Sequence, residues 1–231
     1  MIRVPAKIDS ERLEIRLART IGELRDAFRV RYAVFVEEKH MKKEELPEEQ
    51  RLLELELDCF DFVEPTRVFN AYYDGTAVGT VRLILDSEYG FPLERKFPIF
   101  TDIKKSEMKE RRVFAEGSRI AILKDYRGGK ISWGLLKADI ILAAREGVTD
   151  IISVGNIGDV GFDVANNVFI KLGYNPLGDI SAMQGFGSRI MPLHLKMENI
   201  KDPFRSKMVE DTPYIERPYN QIDPDNLLEK R

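Results

Sequence analysis

The chain has 231 residues, 43% of them apolar, with 36 basic and 39 acidic side chains and a formal net charge of -3. That balance excludes overall electrostatic attraction to nucleic acid or to an anionic membrane. A single cysteine, Cys59, excludes an internal disulfide, and the two histidines, His40 and His194, lie too far apart in sequence to suggest a metal-ligand pair, so no metal is expected. The opening MIRVPAKIDSER lacks the roughly 7 to 15 residue apolar core of a signal peptide. No run approaches the roughly 18 apolar residues of a membrane span. A protein of the reducing cytoplasm, with no transmembrane segment and no nucleic-acid partner, is expected.

The alternation over 13–17 predicts a first strand. Thr20 then caps a helix in which Ile21, Leu24, Ala27, Phe28, Arg31, Val34 and Phe35 fall at helical spacing. Residues 39–57 are crowded with Glu, Lys and Gln and broken by Pro47, which predicts a mobile connection with a helical turn or two. Residues 68–73 and 77–85 read as a hairpin about Asp74-Gly75, because Asp-Gly supplies the positive φ of a tight turn. A Pro-containing stretch at 89–109 reads as irregular. A strand follows at 112–123, then Arg127-Gly128-Gly129-Lys130, then a helix from about 132 to 146.

Gly147 ends that helix, 150–154 reads as a buried parallel strand, and 162–172 reads as a helix closed by Gly173. One or two strands are expected within 180–195. A domain spanning 1–200 is expected, with 201–231 as a polar, docked or disordered tail. Two βα units thus follow an antiparallel meander.

Glycines between a strand and a helix let the backbone turn sharply, and the free amides of the helix N-terminus attract an anion. Residues 127–132 (Arg127, Gly128, Gly129, Lys130, Ile131, Ser132) are therefore either a phosphate-binding turn or a plain βα connection. The element order, with Lys171-Leu172-Gly173-Tyr174 closing the last helix, resembles the GNAT N-acyltransferase fold: an α/β (α+β) architecture with a central mixed, mostly antiparallel twisted sheet flanked by helices. The pyrophosphate turn of that fold has the form Arg/Gln-x-x-Gly-x-Gly/Ala. Arg127 matches it, whereas Lys130 and Ser132 replace small residues.

A more specific resemblance joins Arg31-Tyr32-Ala33-Val34-Phe35, Glu56-Leu57-Asp58-Cys59-Phe60-Asp61, Gly79-Thr80-Val81-Arg82-Leu83 and Glu116-Gly117-Ser118-Arg119. In this order they resemble the signature of acyl-homoserine lactone synthases and long-chain N-acyl amino acid synthases. The resemblance implies an acyl-phosphopantetheine thioester as co-substrate, with acyl carrier protein as donor and partner. Such a donor carries no adenosine diphosphate, so the incomplete pyrophosphate turn is tolerable. It also marks Arg31, Phe35, Asp58, Asp61, Arg82, Glu116 and Arg119 as site residues. The lactone synthases carry a tryptophan several residues after the phenylalanine, where this chain has Met41 or its neighbours. An amino acid or other small amine is thus at least as consistent an acceptor as the lactone precursor.

Acyl transfer from a thioester needs an uncharged amine, a proton acceptor and a donor for the oxyanion. Glu116 is the candidate base; its alternative is an ion pair with Arg119 or Arg82. Asp58 and Asp61 either hold the acceptor's ammonium or fix Arg31 and Arg82. Arg82 and Arg119, in apolar strands, require carboxylate partners, so an arginine and acid network is expected in either case. A backbone amide of the strand at 112–123 is the candidate oxyanion donor. Phe35, Trp133, Phe162, Val168 and Phe169 either line an acyl tunnel or belong to the core. Cys59 reads as inert packing, and both histidines as surface or loop residues. Lys124, Arg127, Lys130 and Lys137 form a candidate surface for an acidic carrier protein. Two other readings stay open: a coenzyme A dependent N-acetyltransferase of the same fold, and a non-catalytic binding module.

Overall fold

Thr20 opens the first helix by a reciprocal pair of hydrogen bonds: its Oγ1 accepts from Glu23 N at 3.1 Å, and Glu23 Oε2 accepts from Thr20 N at 3.1 Å. The computed structural model describes residues 9–38, 41–107, 111–127, 130–157, 168–177, 181–182, 189–201 and 205. In chain order these form β1 (Leu13–Leu17), α1 (Ile21–Arg31), α2 (Glu48–Leu53), β2 (Thr66–Tyr73), β3 (Thr76–Leu85), α3 (Pro92–Lys96), α4 (Pro98–Glu107) and β4 (Phe114–Ile122). They continue with α5 (Lys130–Arg145), β5 (Asp150–Ile157), α6 (Ile170–Leu172), β6 (Asn175–Pro176), β7 (Ser181–Ala182) and β8 (Arg189–Lys196).

The strands make one sheet in the order β1-β2-β3-β4-β5-β8-β6, with β7 also on β8. Among the described strands only β4 and β5 run parallel, joined through α5; every other pair is antiparallel. The mixed, mostly antiparallel sheet expected from sequence is therefore present. Asp74 (φ 49) and Gly75 (φ 77) carry the positive φ values that a two-residue hairpin turn requires.

One local difference has a physical reason. Residues 92–107 are helical rather than irregular, because Pro92 occupies the first turn of α3 and Pro98 begins α4, where a missing N–H costs nothing. The polar connection after α1 holds α2 and a 3-10 turn at Lys43–Glu45. The first helix continues past Arg31 in a π-helical stretch, Tyr32–Glu37. Of the helix expected at 162–172, the described part ends at Leu172; Phe162, His40, Gly128, Gly129 and, apart from Lys201 and Arg205, the segment 201–231 lie outside the described residues.

The sheet separates two apolar layers. One face packs Leu83, Ala115 and Ile151 against Leu135, Ala138 and Leu142 of α5. The other packs Ile84, Phe114 and Ile152 against Phe91 and Phe97, which flank α3, and Phe100 of α4. Gly173 ends α6 at φ 127, and a Cβ there would collide with the backbone of Asn199; two residues on, Lys201 N donates to Leu172 O at 3.0 Å. Gly173→Ala is accordingly expected to cost about 1–3 kcal/mol, read as a fall in the urea midpoint without a change in slope. No helix among the described residues is long and apolar enough to cross a membrane.

Candidate active site

Asp58 and Asp61 form a capping box around a short 3-10 turn: Asp58 Oδ1 accepts from Phe60 N at 2.9 Å, and Asp61 Oδ2 accepts from Asp58 N at 2.8 Å. The turn aims both carboxylates at the sheet. Arg82 Nη1 lies 2.7 Å from Asp58 Oδ1 and 3.0 Å from Asp61 Oδ1; Arg31 Nη1 reaches the same Asp61 oxygen at 2.7 Å. Arg119 Nη2 closes the network on Asp58 Oδ2 at 2.8 Å and on Glu56 Oε1 at 3.1 Å. Arg31, Arg82, Glu56 and Asp61 are buried, so the charges are desolvated and depend on one another.

The electrostatics follow from that geometry. Burial would raise the Asp58 carboxyl, but Arg82 and Arg119 outweigh it and bring its pKa down to about 2. Burial acts on Asp61 in the same sense and is overcome by Arg31 and Arg82. Arg82, despite its burial, is held more firmly charged by Asp61 and Asp58. Arg31 is lowered, because its burial and the nearby Arg82 outweigh Asp61.

Glu116 behaves differently. It is 1% exposed, its Oε2 accepts from Leu93 N at 2.8 Å, and its Oε1 is buried without a hydrogen-bond partner. Burial raises its pKa against the opposing pull of Arg82, the Leu93 N–H and the adjacent Ser118 hydroxyl. Glu116 sits at a break in the sheet. Pairing between β4 and β5 runs from Phe114↔Asp150 to Glu116↔Ile152 and stops there, although β4 continues to Ile122 and β5 to Ile157. Just beyond, Arg119 adopts φ 56, and β4 shifts register against β3 between Thr80 and Arg82, the signature of a bulge.

A cleft of about 340 Å³ opens where the strands part, lined by Glu116 to Ile120 of β4, Ser153 to Asn156 of β5, Asp58, Arg82, Phe35, residues of α3 and α5, and Phe169 and Tyr174 on either side of α6. Glu116, Asp58, Arg82, Arg119 and Phe35 thus share one cavity, with Arg31 and Asp61 packed behind it. Phe169 also lines it, whereas Trp133 and Val168 pack against the core.

The turn at 127–132 is more dispersed. Arg127 is held by Glu38 at 2.5 Å and by Ile122 O at 3.0 Å, Lys130 is exposed, and the Ile131 side chain is 1% exposed in the core. Lys124, Arg127 and Lys130 lie on the surface. Lys137 does not: it is buried in α5, which removes it from any carrier-protein surface.

Two further expectations are corrected. His194 is a buried strand residue whose Nε2 lies 2.7 Å from Asp150 Oδ1, because β8 is an interior strand of the sheet. Cys59 is exposed and lines the cleft rather than packing inertly. Glu56, Ser118 and Asp139 escaped the sequence reading. Glu56 lay within a quoted motif, and Asp139 stood out only as an acid inside the apolar run 135–144. Among the described residues no group of His, Cys, Asp or Glu is placed to hold a metal ion.

A mixed sheet that splits between its parallel strands, with a buried carboxylate at the split, defines an N-acyltransferase of the GNAT-like class. The model of the N-acyl amino acid synthase FeeM family matches residues 26–162, and the chain belongs to that family. Among solved structures, FeeM, an N-acyl amino acid synthase from uncultured soil microbes, superposes with a TM-score of 0.64 at 14% identity over 84% of this chain and 93% of that one. BjaI, a CoA-dependent acyl-homoserine lactone synthase, gives 0.62 at 17% identity over 90% and 99%. The acyl-homoserine lactone synthase LasI gives 0.56 at 17% identity over 80% and 89%. A comparison with curated protein sequences gives no match.

Proposed function

We propose that the chain transfers an acyl group from the phosphopantetheine thioester of an acyl carrier protein to the amine of an amino acid or similar small molecule, within the cytoplasm. The observation that carries this reading is Glu116, buried with one free oxygen at the point where β4 and β5 separate. The thioester enters the gap between the strands. The amine approaches on the Glu116 face, near Asp58 and Arg119, and attacks the carbonyl carbon as Glu116 takes its proton. Amides on the open edge of β4, re-aimed by the bulge at Arg119, receive the oxyanion. The tetrahedral centre then collapses, the amide bond remains and the thiol leaves.

The arginine and acid network fixes these parts. Its three guanidiniums (Arg31, Arg82, Arg119) face the three carboxylates Glu56, Asp58 and Asp61, so the network is balanced in charge without Glu116. Asp58 is the member nearest solvent, with 27% of its side chain exposed, and is placed to meet an incoming ammonium. The donor assignment draws on the turn: Arg127 is already paired with Glu38, which suits a donor without a pyrophosphate.

A second reading, acyl-CoA as donor, draws on BjaI and MesI, both described as CoA-dependent. Turnover of a long-chain acyl carrier protein against the matching acyl-CoA and acetyl-CoA separates the two. The carrier-protein thioester is expected to give the higher kcat/KM, with a KM that rises with salt as the contacts of Lys124, Arg127 and Lys130 are screened. Turnover with CoA thioesters alone would overturn the carrier-protein donor.

A further inference from the structure

Glu116 and Gly117 are neighbours on β4, so their Cβ directions point to opposite faces of the sheet. Glu116 faces the arginine network. Position 117 faces α5, where a Cβ would stand 3.1 Å from Asp139 Oδ2 and 3.4 Å from Ile151 Cγ2; a side chain there would press the Asp139 carboxyl back by a few tenths of an ångström. Asp139 is 3% exposed, and its Oδ1 is buried without a hydrogen-bond partner. It lines the same cleft as Glu116, beside Leu136, Phe169 and Tyr174.

Among the described residues no cation is set against this carboxyl. Burial alone pushes it up to about 8, so it carries its proton at neutral pH. Tyr174, the neighbouring phenol, is raised by burial and by Asp139, which makes it the weaker acid of the two. An unpartnered buried carboxyl does not hold a fold together; it costs stability. The two acids at the split therefore lie one on each face of the sheet, with the gap between β4 and β5 separating them.

We propose that Asp139 is the acid that protonates the departing pantetheine thiol, an assignment that rests on the acyl-transfer reading above. As the tetrahedral intermediate collapses, the C–S bond breaks and its electron pair stays on sulfur. The Asp139 proton passes to that sulfur, leaving a free thiol and the Asp139 carboxylate. Glu116 meanwhile holds the proton taken from the amine. When the products leave, Glu116 gives its proton to solvent and Asp139 regains one, so the cycle balances. An alkyl thiol ionises at about 8.5, close to the acid that serves it, which keeps the transfer near thermoneutral. The amine arrives on one face and the thiol departs on the other.

The test varies the leaving group in the full chain. Asp139→Asn keeps size and removes the transferable proton. The same acyl group is offered as its pantetheine thioester and as its 4-nitrothiophenyl thioester, whose thiolate leaves without protonation. The variant is expected to lose about 100-fold in kcat with the first donor and under about 3-fold with the second. Its melting temperature is expected to hold or rise, since an unpartnered acid is gone. Tyr174→Phe is expected to keep the wild-type ratio between the donors.

Equal loss with both donors, no loss with either, or a leaving-group-dependent loss in Tyr174→Phe instead would overturn the assignment. If Asp139→Asn does not fold, Asp139→Ser carries the same comparison. A wild-type protein that acylates no amine from either donor fails earlier: it overturns the acyl-transfer reading and this assignment with it.

Discussion

Replacing Glu116 by Gln is expected to lower kcat for acyl transfer by about 10²–10⁴-fold while the protein stays folded. Glutamine preserves the volume and an oxygen to accept the Leu93 N–H, so the hydrogen bond at 2.8 Å survives. What is lost is the ability to take a proton. The sign of the pH dependence follows from burial, which raises the Glu116 pKa. The wild-type rate should climb with pH above the ordinary carboxylate range as Glu116 ionises, and the variant should lack that limb. Unchanged acylation in Glu116→Gln would remove the base and favour a non-catalytic binding role.

Replacing Arg82 by Leu is expected to destabilise the fold by about 3–5 kcal/mol, the largest stability effect among the site residues. Arg82 is 1% exposed and is shared by Asp58 and Asp61; its Nε also donates to Ser118 Oγ at 3.2 Å. Its removal leaves Asp61 buried with Arg31 alone and Asp58 with Arg119 alone. Urea unfolding at neutral pH measures the loss. The network also sets the acid response. Because the folded Asp58 is depressed to about 2, its stabilisation is fully present above the ordinary carboxylate range and disappears as pH falls toward 2. In Arg82→Leu that acid-dependent loss should be smaller and complete at higher pH, since the largest attractive partner is gone.

The parts legible in sequence were those set by local chemistry. Thr20 three residues before Glu23, Asp74-Gly75 between alternating runs, and the apolar period of α5 each specify a cap, a turn or a helix without help from the rest of the chain. Four short motifs, far apart in sequence, marked Arg31, Asp58, Arg82 and Glu116; the sheet order places the last three around one cleft, with Arg31 packed behind it. The two prolines at 92 and 98 misled, because proline signals a break and a helix start with the same residue. His194 misled for a different reason: its burial depends on β8 being interior, a property of the sheet and not of its neighbours in the chain. Asp139 was unreadable in the same way. An acid in an amphipathic helix ordinarily faces solvent, and only the position of β4 over α5 turns this one into a buried group at the split between two strands.

The site therefore joins two kinds of acid. Asp58 and Asp61 are held ionised by arginines and position the cleft, whereas Glu116 and Asp139 are raised by burial and are left with a free oxygen each. Groups that exchange protons belong to the second kind.

The most direct test is mass spectrometry of lipid extracts from cells overproducing the wild-type protein or Glu116→Gln, because product mass reports the acceptor and the acyl chain together. A series of N-acylated amines spaced by acyl length, present with the wild-type chain and absent with Glu116→Gln, is the expected result. Extracts that are identical for the two proteins would contradict N-acyl transfer through Glu116.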